Sequence, residues 1–337
     1  MRLAGQDPAA TTAPGTTGRP RRRPSLRAAV QLVVVLLFVG FVAYAVAGRW
    51  QEVRDFAGRL SVPALGLSML AVLAAIWCSF LCWRAVLADF SSRLPLGGAM
   101  RVFYVGQLGK YLPGKLWPMM TQARLGADYE VPRRASWAAA GVFMLLTLGT
   151  GLVVGALTLP LLGAQALHRY WWALAVLPVA LVAMHPAVLN RGLALVLRLT
   201  RREPMPQPLS LHGIVVACGW CVPTWLLYGV STWALARDLG PAGFGMLLRG
   251  TGAFAASWSI GFLLLVAPAG AGIREAAMIV LLSTSLPTAQ ATVIALVSRL
   301  LIVLGDVFWG VVALLGRPAG RQVRRRLAGS AARPGRP

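Results

Sequence analysis

Uncharged apolar runs punctuate this chain at intervals. The run from Ala28 to Gly48 contains no charged residue. At 1.5 Å rise per residue, about 20 residues cross the hydrocarbon core of a bilayer. A backbone in lipid must satisfy its own amide and carbonyl groups, which makes helices the expected spanning element. The alternating ten-residue strands of a membrane barrel do not appear. The pattern predicts complete helical spans over 28–48, 62–88, 136–160, 171–189, 211–236 and 289–315. The first is read as a retained helix, since it exceeds the roughly 7–15 apolar residues of a signal peptide.

Two further apolar stretches, 95–130 and 240–286, are each broken near the middle by Pro and Gly. A Pro removes an amide donor and disfavours helix for the residue before it. Two short helices joined by a turn, entering and leaving on one side, are therefore expected in each; a pair of full helices is the alternative, for which the 47-residue second stretch is long enough. The fold class is all-α: a polytopic membrane protein with about six full spans and two broken, re-entrant stretches. Residues 1–25, rich in Pro, Thr, Gly and Arg, cannot bury a core and are expected to be disordered. The domain reading is thus a basic tail over 1–25, a transmembrane domain over 26–316 and a second basic tail over 317–337.

Composition agrees with this reading. Of 337 residues, 57% are hydrophobic and 13% charged, against roughly a quarter charged in soluble proteins. The net charge of +23 invites a nucleic-acid reading, but the charge is concentrated in the tails and no nucleic-acid motif accompanies it. Basic flanks mark the cytoplasmic side of a membrane protein and attract anionic headgroups. Both termini are therefore expected in the cytoplasm, with the protein multi-pass in the cell inner membrane.

The same counting of Arg and Lys makes the ends of 95–130 cytoplasmic and the start of 240–286 external. Span 62–88, the first broken stretch and span 136–160 then form one unit. Span 211–236, the second broken stretch and span 289–315 form another of opposite orientation. Broken helices in two inverted units are a transporter signature.

Chemistry concentrates at the breaks. The first reads Gly109-Lys110-Tyr111-Leu112-Pro113-Gly114-Lys115, and Lys110 and Lys115 are the only lysines in the chain. A compact ammonium is a point-charge partner for phosphate. Ionisable groups at membrane depth carry function by default. Lys110, Tyr111, Lys115 and Arg124, on the returning half-helix, are expected to hold a lipid phosphate around a turn made by Pro113 and Gly114. Snorkelling interfacial lysines are the structural alternative.

The second break reads Pro268-Ala269-Gly270-Ala271-Gly272-Ile273-Arg274-Glu275. There Arg274 is expected as a second phosphate ligand, and Glu275 is expected either to cap the following helix or to orient the headgroup or exchange a proton. On the last span Arg299 and Asp306, seven residues apart, share a face without reaching each other. Both are expected to pair across helices, with Arg249 and Glu275 as candidate partners. Cys78, Cys82, Cys218 and Cys221 are read as buried small residues, since no βαβ pattern surrounds the Cys-x-x-Cys spacing. No catalytic constellation, cofactor motif or metal cluster emerges.

Gly109-Lys110-Tyr111-Leu112-Pro113-Gly114-Lys115 followed by Arg124, with Pro268-x-Gly270-x-Gly272-x-Arg274-Glu275 further on, resembles the lysylphosphatidylglycerol synthase transmembrane, or flippase-like, family. The resemblance covers roughly residues 28–315. It implies a helical membrane domain with two re-entrant elements that, in bifunctional members, translocates aminoacylated phospholipid. Those members add a soluble aminoacyl-transfer domain. This sequence stops about 20 residues after its last predicted helix, so it is not expected to make lysyl-lipid itself.

The expected activity is translocation of an anionic or phosphate-bearing lipid, either aminoacylated phospholipid or a polyprenyl-phosphate-linked intermediate. A membrane glycosyltransferase or lipid-modifying enzyme using Glu275 or Asp306 as base is one alternative. A non-catalytic envelope-assembly partner is another. Expected partners are the bilayer, an anionic lipid, and either a second copy or an envelope-biosynthesis enzyme, with no nucleic acid.

Overall fold

The apolar runs become helices, and no strand occurs among the described residues. The structure, a computed structural model, describes residues 50–111, 116–162, 168, 171–201, 203–205, 207–240, 243–264 and 272–316. The predicted span 28–48, both basic tails and the turn residues Pro113, Gly114, Lys115, Pro268 and Gly270 lie outside them. The first half holds α1 (Trp50–Ala57), α2 (Val62–Asp89), α3 (Leu96–Met100), α4 (Gly106–Leu108), α5 (Trp117–Ala127) and α6 (Arg133–Thr158). The second holds α7 (Val176–Met184), α8 (Pro186–Leu199), α9 (Leu211–Leu239), α10 (Phe244–Leu263), α11 (Ile273–Leu282) and α12 (Thr288–Leu315).

The longest seam joins α2 and α9, which run antiparallel. Each starts at a serine that caps it. The Ser61 hydroxyl accepts from the Ala64 amide at 3.3 Å and the Ser210 hydroxyl from the Gly213 amide at 2.9 Å, satisfying donors that the first helical turn leaves free. Each also ends near an aspartate, Asp89 and Asp238, twenty-eight residues after its own serine. The two ends are tied reciprocally. The Ser61 amide donates to Asp238 Oδ2 at 2.6 Å. The Ser210 amide and hydroxyl donate to the two Asp89 oxygens, both at 2.7 Å.

Between these ends the Ser68 and Ser231 hydroxyls meet at 2.6 Å, and the free thiols of Cys82 and Cys221 lie 3.3 Å apart. Polar contacts between helices in lipid contribute about 0.6–2 kcal/mol each. Their main effect here is to set the register of the seam.

Four helices are long and apolar enough to cross a membrane: Val62–Asp89, Arg133–Leu161, Leu211–Leu239 and Thr288–Leu315. The span predicted over 171–189 requires correction. Residues 171–175 form a 3₁₀ turn, α7 follows, and the chain bends by 68° at His185 before α8 begins. Pro186 explains the break, because it drives the preceding residue out of helical geometry, and His185 is extended with ψ 135. The pair counts as a fifth span only if its bent halves are taken together. Helix α8 extends beyond the predicted span, to Leu199. Arg191 and Arg198 are exposed on it, beside exposed Leu195, Val196 and Leu199.

The first broken stretch forms two short arms. α3, a π-helical turn (Arg101–Val105), α4 and a 3₁₀ turn (Gly109–Tyr111) make the first, and α5 makes the second. Sixteen helical residues span about 24 Å and eleven about 16 Å, short of the roughly 30 Å core. The second stretch is unequal. α10, at twenty residues, has the length for a crossing, but buried Gly, Thr and Ser on it lower its apolarity. α11 has ten residues. The arm over 101–108 packs on α12, and α10 packs on α6.

Candidate functional site

Residues flanking the breaks of the two stretches line one cavity. Glycines let the first pair of arms close up: a Cβ at Gly106 would overlap the Gln122 side chain, and one at Gly109 would come within 3.1 Å of the Pro118 nitrogen. This closure places Lys110 and Tyr111 against α12. Lys110 Nζ lies 2.6 Å from Asp306 Oδ2, and the Tyr111 hydroxyl donates to the same oxygen at 2.5 Å. Asp306 is 6% exposed, whereas the Lys110 side chain is 30% exposed. The carboxylate thus sits behind the ammonium, which faces open space.

The second break closes on Gly272, whose φ of 93 is a conformation that a side chain would strain. Its amide donates to Glu275 Oε2, so one carboxylate oxygen caps α11. The other oxygen, Oε1, lies 3.3 Å from Arg299 Nε on α12. Both roles read from sequence for Glu275, helix cap and ion-pair partner, are therefore filled at once. Arg274 is 7% exposed, and its guanidinium lies 4.5 Å from the centre of the Phe254 ring. No carboxylate among the described residues reaches ion-pair distance of it. A Cβ at Gly261 would meet the Arg274 Cβ at 3.0 Å, so this glycine admits the arginine beside α10.

These elements enclose a cavity of about 190 Å³. Its charged lining is Lys110, Arg274 and Arg299, and its aromatic lining is Phe143, Tyr228, Trp258 and Phe262. Gln107 and Thr147 add polar atoms. Asp306 and Glu275 are not in the lining; they stand behind Lys110 and Arg299. A low-dielectric pocket with three cations in front and two carboxylates behind presents positive potential to an occupant. An anion entering it gains charge-assisted hydrogen bonds without having to displace water from fully exposed side chains.

The predicted residues fall into distinct places. Lys110, Arg274 and Arg299 line the cavity, and Tyr111, Glu275 and Asp306 support them. Lys115 lies outside the described residues. Arg124 does not join the cluster: it is exposed on α5, whose buried face is Pro118, Gln122, Ala123 and Gly126. Arg249 is not the ion-pair partner of Asp306. Its Nε donates to the Leu161 carbonyl at 2.7 Å, closing the end of the turn after α6. The Trp309 indole on α12 stacks on Tyr104 and donates to the Leu73 carbonyl at 3.0 Å.

Sequence reasoning missed the aromatic wall from α6, α9 and α10. Helical spacing of aromatics in an apolar run reads the same whether the face meets a cavity, a neighbour or lipid. Among the described residues no cluster of three or more His, Cys, Asp or Glu is placed to hold a metal.

Comparison with curated proteins returns no match. The family model for the lysylphosphatidylglycerol synthase TM region matches residues 28–310, a stretch that contains every described residue lining the cavity. The chain belongs to this family.

Proposed function

We propose that this protein is a translocase for anionic, phosphate-bearing lipids, multi-pass in the cell inner membrane with both termini in the cytoplasm. The observation that carries the reading is the cavity that both broken stretches help to line, with Lys110, Arg274 and Arg299 facing it. Intramembrane cations facing a cavity mark a substrate path. Lys110 and Arg274 contact the headgroup phosphate, while Asp306 and Glu275 keep the neighbouring cations in place between passages. Both carboxylates are already engaged by donors, which favours transport over their use as catalytic bases. Cargo candidates are aminoacylated phospholipid, as the family's name suggests, polyprenyl-phosphate-linked intermediates and other anionic lipids.

The reciprocal ties of α2 and α9 support a two-fold relation between units of opposite orientation. Ser61 and Asp89 in one unit correspond to Ser210 and Asp238 in the other, at equal spacing. In each unit the broken stretch packs against the closing helix of the other. Inverted units around a central site are the architecture of alternating access. Single cysteines at positions 113 and 270 are expected to react with impermeant reagents from opposite sides of the membrane; labelling of both from one side would refute the inverted topology.

Translocation itself is tested with purified protein in liposomes containing a trace of fluorescent phosphatidylglycerol. Quenching from outside is expected to pass well beyond the outer-leaflet fraction for the parent chain. Lys110→Ala is expected to slow movement about tenfold, the size of one partly exposed charge-assisted contact. Unchanged rates in Lys110→Ala and Glu275→Ala liposomes would remove this site from the path.

A further inference from the structure

The cargo can be narrowed further, on the premise that this cavity receives a headgroup. We infer that it takes a headgroup carrying phosphate and no cationic substituent, so that the protein prefers an unmodified anionic lipid to its aminoacylated form. The inference rests on the charges around the cavity and on where the acids are.

Among the described residues, three cations face the cavity and no carboxylate does. The two nearest acids are engaged: Asp306 by Lys110 and Tyr111, and Glu275 by the Gly272 amide and Arg299. An entering ammonium would find no free carboxylate to accept its protons.

Aromatic faces could hold a cation instead, but they are partly occupied. Of the lining aromatics, Tyr228 stacks on Phe254, and Trp258 and Phe262 stack on each other. Each thus has one face covered by a neighbouring ring, which leaves less cation–π surface for an ammonium.

A lysyl ester adds two positive charges to a headgroup bearing one negative charge, and its net charge becomes positive. At about 5 Å and an effective dielectric near 20, one like-charge contact disfavours binding by more than tenfold. The unmodified lipid makes only attractive contacts with the same three groups.

The test compares binding of short-chain phosphatidylglycerol and its lysyl ester to the full chain in detergent. Trp258 lines the cavity, so tryptophan fluorescence is one readout and thermal stabilisation a second. The unmodified lipid is expected to bind at least tenfold more tightly. Gln107→Glu, a near-isosteric change that adds one carboxylate to the lining, is expected to shrink that ratio at least threefold. Glycerol 3-phosphate, which carries the anion without acyl chains, is expected to bind at least tenfold more weakly than the lipid.

Equal binding of the two lipids, or preference for the lysyl ester, overturns the inference. Equal binding of glycerol 3-phosphate overturns its assignment to a lipid. The liposome assay separates this result from the translocase reading. Absent lipid movement with the binding ratio intact removes the translocase and leaves the headgroup preference standing. Movement with equal binding does the reverse.

Discussion

An Asp306→Ala chain is expected to lose about 3 kcal/mol of stability, the lower end of the cost of breaking a buried ion pair. Asp306 is almost fully buried, and it receives both the Lys110 ammonium and the Tyr111 hydroxyl. Removing it leaves two donors facing apolar surroundings, and an unsatisfied buried donor costs more than the bond contributed. The estimate sits at the lower end because Lys110 is 30% exposed and can turn partly toward the cavity. The interaction also joins residues 195 positions apart, so its loss should free the first arm from α12.

Reversible unfolding in mixed micelles measures this. A second variant distinguishes ion-pair loss from simple packing loss. Lys110→Met combined with Asp306→Leu replaces the pair with apolar groups of similar size and should recover most of the stability. Translocation should not recover with it, because a cation of the cavity is gone. A loss below about 1 kcal/mol in Asp306→Ala would place the pair among weak surface contacts.

Arg274→Ala is expected to act in the opposite sense. Translocation should fall about 30- to 100-fold, the range for truncating a charged group that pairs with its ligand in a desolvated site. Stability should hold or rise, because Arg274 is a buried charge with no carboxylate partner among the described residues. Burying such a charge is costly unless a partner compensates. A protein that retains it trades stability for activity. Arg274→Lys should restore only part of the rate, since an ammonium keeps the charge but loses the planar contact over Phe254. The thermal midpoint and the liposome rate, measured on one preparation, decide the matter. A variant that loses both together would make Arg274 structural.

Gly272 shows how far local chemistry can be read ahead of structure. A glycine before Ile-Arg-Glu at the end of a Gly-rich break signals a turn into a helix, with glutamate at the position that reaches back to the cap. The structure has that turn, with Gly272 at φ 93 and Glu275 accepting from its amide. Such features depend on residues three or four apart, so sequence spacing suffices. The 171–189 segment failed for a related reason. Its apolar content was read as one helix, yet Pro186 sits near its end and governs the backbone of His185. Hydropathy averaged over the run concealed a break that a single residue imposes.

Long-range partners were only partly within reach. Arg299 and Asp306 were legible as residues of one helix face, because seven residues make two turns. Glu275, a candidate partner, does pair with Arg299. Arg249, the candidate cation for Asp306, does not pair with it, and Lys110, which does, was assigned to phosphate alone. The arms' approach decided the outcome: Gly106 and Gly109 let α5 fold tightly onto α4, which set Lys110 against Asp306. Arg124 points away because Gln122, Ala123 and Gly126 take the packed face of α5.

By itself, then, the sequence determined the membrane class, the helical spans at 62–88, 136–160, 211–236 and 289–315, the two Pro/Gly interruptions and the charges gathered near them. All of these follow from hydropathy and from backbone preferences that act within a few residues. Only the tertiary structure decided that the arms flanking the interruptions line one cavity, that its cations face inward with their carboxylates behind them, and that aromatics from three helices complete the wall. Those arrangements depend on helix register and crossing, which side-chain packing between distant segments sets.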